Sequence, residues 1–172
     1  MNRGLIHIYY GEGKGKTTSA IGLTIRGLGA GYRVLFCQFL KGQDTSEMNI
    51  LKNLNNLDIL RAPSPKKFTF QMDDNELNIL RGDNNATLEK IIAASKDYNM
   101  VVLDEAIGAY DKGLLDREKL LDFLDSNSQC EIVLTGRGAS SELLSRGDYI
   151  SEIHKINHPF DRGIPSRVGI ER

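Results

Sequence analysis

The stretch Gly11-Glu12-Gly13-Lys14-Gly15-Lys16-Thr17-Thr18 carries residue types that suit phosphate chemistry. Glycines let backbone N–H groups converge on an anion with no Cβ in the way. A lysine supplies mobile positive charge, and a threonine hydroxyl can ligate Mg²⁺. The stretch follows an apolar run, Leu5 to Tyr10, that reads as a buried strand, and it precedes Ser19 to Arg26, which reads as a helix. Strand, glycine-rich turn, Lys-Thr and helix together form the context of a P-loop. The helix N-terminus adds about half a unit of positive charge at the anion. In the usual pattern, G-x-x-x-x-G-K-S/T, the first glycine would fall at Tyr10, so the loop is one residue short. Triphosphate binding is expected, not necessarily in the geometry of an ordinary ATPase.

Two further clusters bear on the same chemistry. Val101-Val102-Leu103-Asp104-Glu105 delivers acidic residues from the end of an apolar strand, as a Mg-nucleotide site requires. Either Asp104 or Glu105 could ligate the metal directly, and Asp is also a favoured helix cap. Thr135-Gly136-Arg137-Gly138 sets an arginine between glycines. Its planar fork suits a phosphate, and a solvated surface turn is the plainer alternative. Arg26 either reaches back to phosphate or is a surface charge. Lys67 to Met72 places Phe68 and Phe70 between Pro65 and Asp73-Asp74, either as a short strand with both rings on one face or as an apolar wall for a flat ligand. His7 reads as a satisfied core histidine, and His154 and His158 are too isolated for a metal site.

The elements that must position these residues follow from periodicity. Strands are expected at Leu5–Tyr10, Arg33–Leu40, Leu57–Arg61, Asn99–Leu103, Glu131–Leu134 and Tyr149–Ile156, the last at an edge. Helices are expected from Ser19, from a Thr45 or Ser46 cap through Leu54, over Asn84–Asp97, over Leu114–Leu124 with Asp116 as cap, and over Ser140–Ser145. Strands alternating with helices imply an α/β fold, a parallel sheet with helices on both faces. The three turns of interest follow the first, fourth and fifth strands, at the carboxyl ends where such sheets bind ligands.

A chain of 172 residues suggests one domain, spanning 1–172. The formal net charge of −1 gives no global field for nucleic acid or membranes. No apolar run approaches the ~20 residues of a membrane span. Met1 to Gly4 leads straight into a strand, which reads as no signal peptide, and Cys37 and Cys130 read as buried thiols. These features point to the cytoplasm.

Several segments taken together resemble the ATP:cob(I)alamin adenosyltransferases of the CobA/CobO/BtuR type. The shortened G-x-G-K-G-K-T-T loop, Gln38 to Gly42, Glu47 to Leu51, Val101 to Glu105, Thr135 to Gly138, and the end from Ser151 through His158, Phe160-Asp161, Gly163 and Gly169-Ile170-Glu171 all match in order. The aromatic motif reads Phe68-Thr69-Phe70 where the family usually has F-T-W. Better-known members also carry an N-terminal extension that helps cover the corrinoid, so a corrinoid site that is more open, or completed differently, is expected here.

The resemblance implies transfer of the 5′-deoxyadenosyl group of ATP to the cobalt(I) of cobalamin or a related corrinoid, with inorganic triphosphate released. It implies a nucleotide site of Gly11 to Thr18 with Arg26 and Arg137, and charge stabilisation by Lys14, Lys16, Thr17, Glu105 and Arg137. Mg²⁺ would sit on Thr17 with Asp104 and Glu105. Phe68 and Phe70 would wall the corrinoid, where the family's aromatics are thought to displace the lower axial ligand and ease reduction of cobalt(II). A P-loop NTPase-type, Rossmann-like parallel sheet, a flavoprotein electron donor and a homodimer are implied as well. The alternatives are an ordinary P-loop ATPase or kinase, which would yield ADP, and a non-catalytic corrinoid or nucleotide carrier.

Overall fold

The computed structural model describes residues 4–42, 45–64, 67, 69–126 and 129–171. Six strands, β1 (Ile6–Tyr10), β2 (Val34–Gln38), β3 (Leu57–Arg61), β4 (Met100–Asp104), β5 (Glu131–Thr135) and β6 (Tyr149–Glu152), form one sheet in the order β3-β2-β4-β5-β1-β6. Every pairing is parallel. The strands are rich in Val, Ile, Leu and Tyr, side chains that pack well on a pleated surface.

Both faces of the sheet are covered, which is why β2 and β4 are buried at every residue. Successive side chains alternate between faces. Leu35, Cys37, Val101, Leu103, Ile132 and Leu134 pack with Leu80, Leu88 and Ile91 of α3 (Asp74–Ala94), with α4 (Ala106–Asp111) and with α5 (Arg117–Ser126). Val34, Phe36, Met100, Val102 and Val133 face the other way, against Ala20 of α1 (Lys16–Gly29) and Met48 and Leu51 of α2 (Met48–Leu51). Burying one such Leu or Val fully contributes about 1.5–3 kcal/mol. The short α6 (Ser141–Leu144) adds Leu143 to the first layer.

The boundaries differ from expectation where local chemistry outweighs periodicity. α3 begins ten residues before Asn84, at Asp74. Its start is a capping box, with the Asp73 side chain accepting from the Glu76 N–H and the Glu76 side chain accepting from the Asp73 N–H. Its buried stripe, Leu80, Asn84, Thr87, Leu88 and Ile91, has helical spacing but includes two polar residues, which hides the period. It ends at Ala94, and Ser95–Asp97 tighten into a 3₁₀ turn. β2 stops at Gln38 rather than Leu40, whose φ of 55° bends the chain away. α2 is capped at Glu47 without a side-chain bond, so neither Thr45 nor Ser46 caps it; their carbonyls instead accept from Met48 and Asn49 N–H. The Asp116 carboxylate does accept from the Lys119 N–H, and α5 accordingly starts at Arg117 rather than Leu114. β6 ends at Glu152, four residues short of Ile156.

Thr69–Gln71 is a 3₁₀ turn, so the short strand considered for this stretch does not form. Phe70 is 82% exposed, and Phe68 lies outside the described residues. Cys37 and Cys130 are buried thiols in no disulfide, as expected. Burial pushes the Cys130 thiol up to about 11 and raises that of Cys37 as well, so both are poor nucleophiles.

Candidate active site

The strand order brings β4, β5 and β1 side by side, so their carboxyl-terminal turns meet. Backbone bonds fix the meeting: Gly11 N–H donates to the Arg137 carbonyl at 2.7 Å, and Gly136 N–H donates to the Tyr9 carbonyl at 3.3 Å. The Glu105 N–H donates to the Thr135 hydroxyl at 2.9 Å, which ties the acidic turn to the arginine turn.

Several glycines of these turns are demanded by contact or conformation. A Cβ on Gly13 would lie 2.6 Å from the His154 carbonyl oxygen and 2.7 Å from that of Ile153, because the chain leaving β6 runs against the loop. A Cβ on Gly136 would lie 2.6 Å from Ile107 Cβ. Gly15 has a φ of 120°, a region closed to other residues, and forms the N-cap of α1. No side chain caps that helix, and its first turn holds no acidic residue. The leading N–H groups of a 14-residue helix therefore face the cleft with an anion's charge preference unmet.

Lys16 leads this helix, and its ammonium donates to the Gly13 carbonyl at 2.7 Å. Burial lowers its pKa, with Glu105 the largest opposing influence. Thr17 donates through its hydroxyl to Asp104 Oδ1 at 2.8 Å. Asp104 is fully buried and amply satisfied: Thr135 donates to Oδ1 at 2.7 Å, Gln38 Nε2 to Oδ2 at 3.3 Å, and Lys41 Nζ lies 2.8 Å from Oδ2. Glu105 stands in the left-handed region at φ 61°, and its carboxylate makes no hydrogen bond among the described residues. Its pKa is raised, first by burial and then by the Asp104 charge, against the pull of Lys41, Lys16 and Arg137. Left-handed backbone at a non-glycine residue costs about 1–3 kcal/mol and clusters at functional sites.

The donors fit Mg²⁺. A hydroxyl and two carboxylates are the hard oxygens that ion takes, and a cation, the Lys41 ammonium, already stands against the Thr17–Asp104 pair. Among the described residues no cluster of three or more His, Cys, Asp or Glu exists, so a site here draws on the Thr17 hydroxyl.

Around this centre opens a cleft of about 820 Å³. It is lined by Glu12, Gly13, Lys14, Gly15, Lys16, Thr17, Thr18, Glu105 and Arg137, joined by Lys41 and the chain end from His158 to Glu171. Arg137 and Glu12 face each other at 3.3 Å, both exposed. Lys14 is 3.5 Å from Glu171, which Arg167 also grips and holds down at about 2. Arg26 is not brought here. It lies exposed in the last turn of α1, roughly 15 Å along the axis from Lys16. Phe70 does not line this cleft either; Lys112 Nζ donates to the neighbouring Thr69 hydroxyl at 2.8 Å, which fixes the turn beside the end of α4.

Sequence reasoning left Gln38, Lys41 and Thr135 without roles although each lies in a segment it singled out. Apolar residues of the chain end, Phe160 and Ile170 among them, form one wall of the cleft. An apolar, glycine- and proline-bearing tail has no periodicity to reveal that.

A glycine loop running into an uncapped helix, with an acidic strand end beside it in a parallel sheet, is the architecture of the P-loop proteins. Within that class, the chain belongs to the ATP:corrinoid adenosyltransferase BtuR/CobO/CobP family, whose profile matches residues 2–172. It is 32% identical over 173 residues to a corrinoid adenosyltransferase of Escherichia coli K12, covering 98% of this chain and 86% of the relative. The corrinoid adenosyltransferase CobA of Salmonella typhimurium shows the same identity and coverage. A corrinoid adenosyltransferase of Pseudomonas aeruginosa is 29% identical over 171 residues, covering 98% of this chain and 84% of that one.

Proposed function

We propose that this chain transfers the 5′-deoxyadenosyl group of ATP to the cobalt(I) of a corrinoid and releases inorganic triphosphate. The observation that carries the proposal is the family match over nearly the whole chain, on a glycine loop one residue too short for the ordinary P-loop pattern. Cobalt(I) supplies the electron pair that forms the bond to C5′. The C5′–oxygen bond breaks, and its pair leaves on the triphosphate. No proton is removed, so no residue need act as a base, and the chain's work is positioning and charge stabilisation.

In this reading the Lys16 ammonium leaves the Gly13 carbonyl for the triphosphate. Lys14 and Arg137 exchange Glu171 and Glu12 for phosphate oxygens. The N–H groups of Gly13, Gly15 and the first turn of α1 orient the chain of phosphates. Mg²⁺, held by Thr17 with Glu105 and Asp104, supplies additional positive charge to the leaving group when bound. Glu105 has no hydrogen bond to give up, so it can join Thr17 and Asp104 as a direct ligand.

The exposed Phe70, beside the end of α4, is proposed to face the corrinoid, a role that Phe68, outside the described residues, would share. A flavoprotein that reduces the cobalt, a homodimeric state and a cytoplasmic location complete the proposal. Buried thiols in no disulfide support the last. The test is to mix the protein with ATP, Mg²⁺ and chemically reduced cobalamin. The spectrum of an adenosylated corrinoid is expected; formation of ADP without it would select a P-loop ATPase instead.

A further inference from the structure

Lys41 holds a position that neither the loop nor the acidic turn explains. Leu40, in the left-handed region at φ 55°, turns the chain inward after β2, and Arg61 Nη2 donates to the Lys41 carbonyl at 3.0 Å to hold that turn. The side chain is only 19% exposed. Its Nζ lies 2.8 Å from Asp104 Oδ2 and 3.3 Å from the Thr17 hydroxyl oxygen, which itself lies 2.8 Å from Asp104 Oδ1. An ammonium thus sits against both oxygens that a divalent ion shared by Thr17 and Asp104 would need.

A permanent ion pair would be an odd use of these residues. Asp104 already accepts from Thr17, Thr135 and Gln38, so it does not depend on Lys41 for hydrogen bonds. Its net charge, however, is buried, and an isolated buried carboxylate is costly. The Oε1 of Gln38, also buried, has no hydrogen-bond partner, so the pocket keeps an acceptor in reserve beside the acid.

We propose that Lys41 is a displaceable counter-cation, a stand-in for the divalent metal that neutralises Asp104 until metal and nucleotide arrive together, whereupon its ammonium passes to the polyphosphate. This rests on the reading of Thr17 and the acidic pair as the metal site. Its consequence is a coupling: metal alone must compete with Lys41, whereas the polyphosphate draws Lys41 away, so each ligand strengthens the other. Such coupling is reciprocal by thermodynamic necessity.

The test measures Mn²⁺ retained with the protein in equilibrium dialysis, at matched free Mn²⁺, with and without inorganic triphosphate. Wild type should bind Mn²⁺ weakly alone and at least tenfold more tightly with triphosphate. Lys41→Met should bind Mn²⁺ alone about tenfold more tightly than wild type and lose most of the triphosphate enhancement. Its metal-free form should melt lower and recover on adding Mn²⁺. Lys41→Arg, which keeps the cation, should behave as wild type. If Lys41→Met does not fold, Lys41→Gln offers the same comparison with a polar side chain beside Asp104. Mn²⁺ affinity within twofold of wild type in the neutral variant would overturn the proposal. Failure of wild type to bind Mn²⁺ even with triphosphate would instead overturn the metal site beneath it.

Discussion

Phe70→Ala removes a ring that stands mostly in solvent. Phe70 is 82% exposed. A fully buried aromatic covers about 150–250 Å², so roughly a fifth of that, some 30–50 Å², is in contact here. At about 25 cal/mol per Å² the loss is near 1 kcal/mol, or about 2–4 °C in melting temperature for a chain of this size. A core phenylalanine would have cost about 3–5 kcal/mol. Turnover is then measured twice, with cobalt(I) supplied ready-made and with cobalt(II) plus a mild reductant. An axial ligand donates into the orbital that receives the added electron, so a residue that displaces the ligand matters only in the second assay. We expect the cobalt(II) rate to fall at least about tenfold, equivalent to ~1.4 kcal/mol in the barrier, with the cobalt(I) rate changing far less. Phe70→Trp should be tolerated. Equal losses in both assays, tracking the melting temperature, would refute a corrinoid role for this residue.

Lys16→Ala should lower turnover about 10²–10³-fold, the scale of one preorganised charge contact, while the lost bond to Gly13 costs only about 1 kcal/mol of stability; steady-state rates beside a thermal melt check both. Gly13→Ala should weaken triphosphate binding at least about tenfold, since its Cβ would press on two carbonyl oxygens and an open charge-contact geometry would be lost. Its control is Gly22→Ala on α1, where nothing lies within 4 Å; there a gain of about 0.5–1 kcal/mol is expected, and calorimetry distinguishes the two. Glu105→Gln should weaken the Mg²⁺ dependence of turnover and stabilise the metal-free protein at neutral pH. Burial raises the Glu105 pKa, so its contribution is fully present only below the ordinary value and is lost as pH rises through the raised one. Melting curves of variant and wild type should therefore diverge with rising pH, and parallel curves would rule the burial argument out.

The strands were legible because each is a nearly unbroken apolar run, and the meeting of three turns followed from their place at carboxyl ends. The loop was legible because glycine, lysine and threonine at that spacing have few other uses. α4 went unnoticed because it follows Glu105 with no separating turn and spans only Ala106–Asp111. The first half of α3 was missed because Asp, Asn and Arg obscure the period, although Asp73 and Glu76 had the spacing of a capping box. Arg26 shares the helix of Lys16 but lies in its last turn, a distance that a face-based argument overlooks. Lys41 and Thr135 bond to the same carboxylate from different strand ends, a contact made only by the sheet order.

The central claim is alkyl transfer to cobalt at C5′ of ATP, and the leaving group reports it most directly. Phosphorus NMR of a reaction with ATP, Mg²⁺ and cobalt(I)-cobalamin, followed beside the visible spectrum, gives both products at once. The account predicts inorganic triphosphate appearing in equal amount with the adenosylated corrinoid, and no ADP formed in proportion to turnover. ADP and phosphate as the main phosphorus products, or triphosphate released without any adenosyl product, would contradict it.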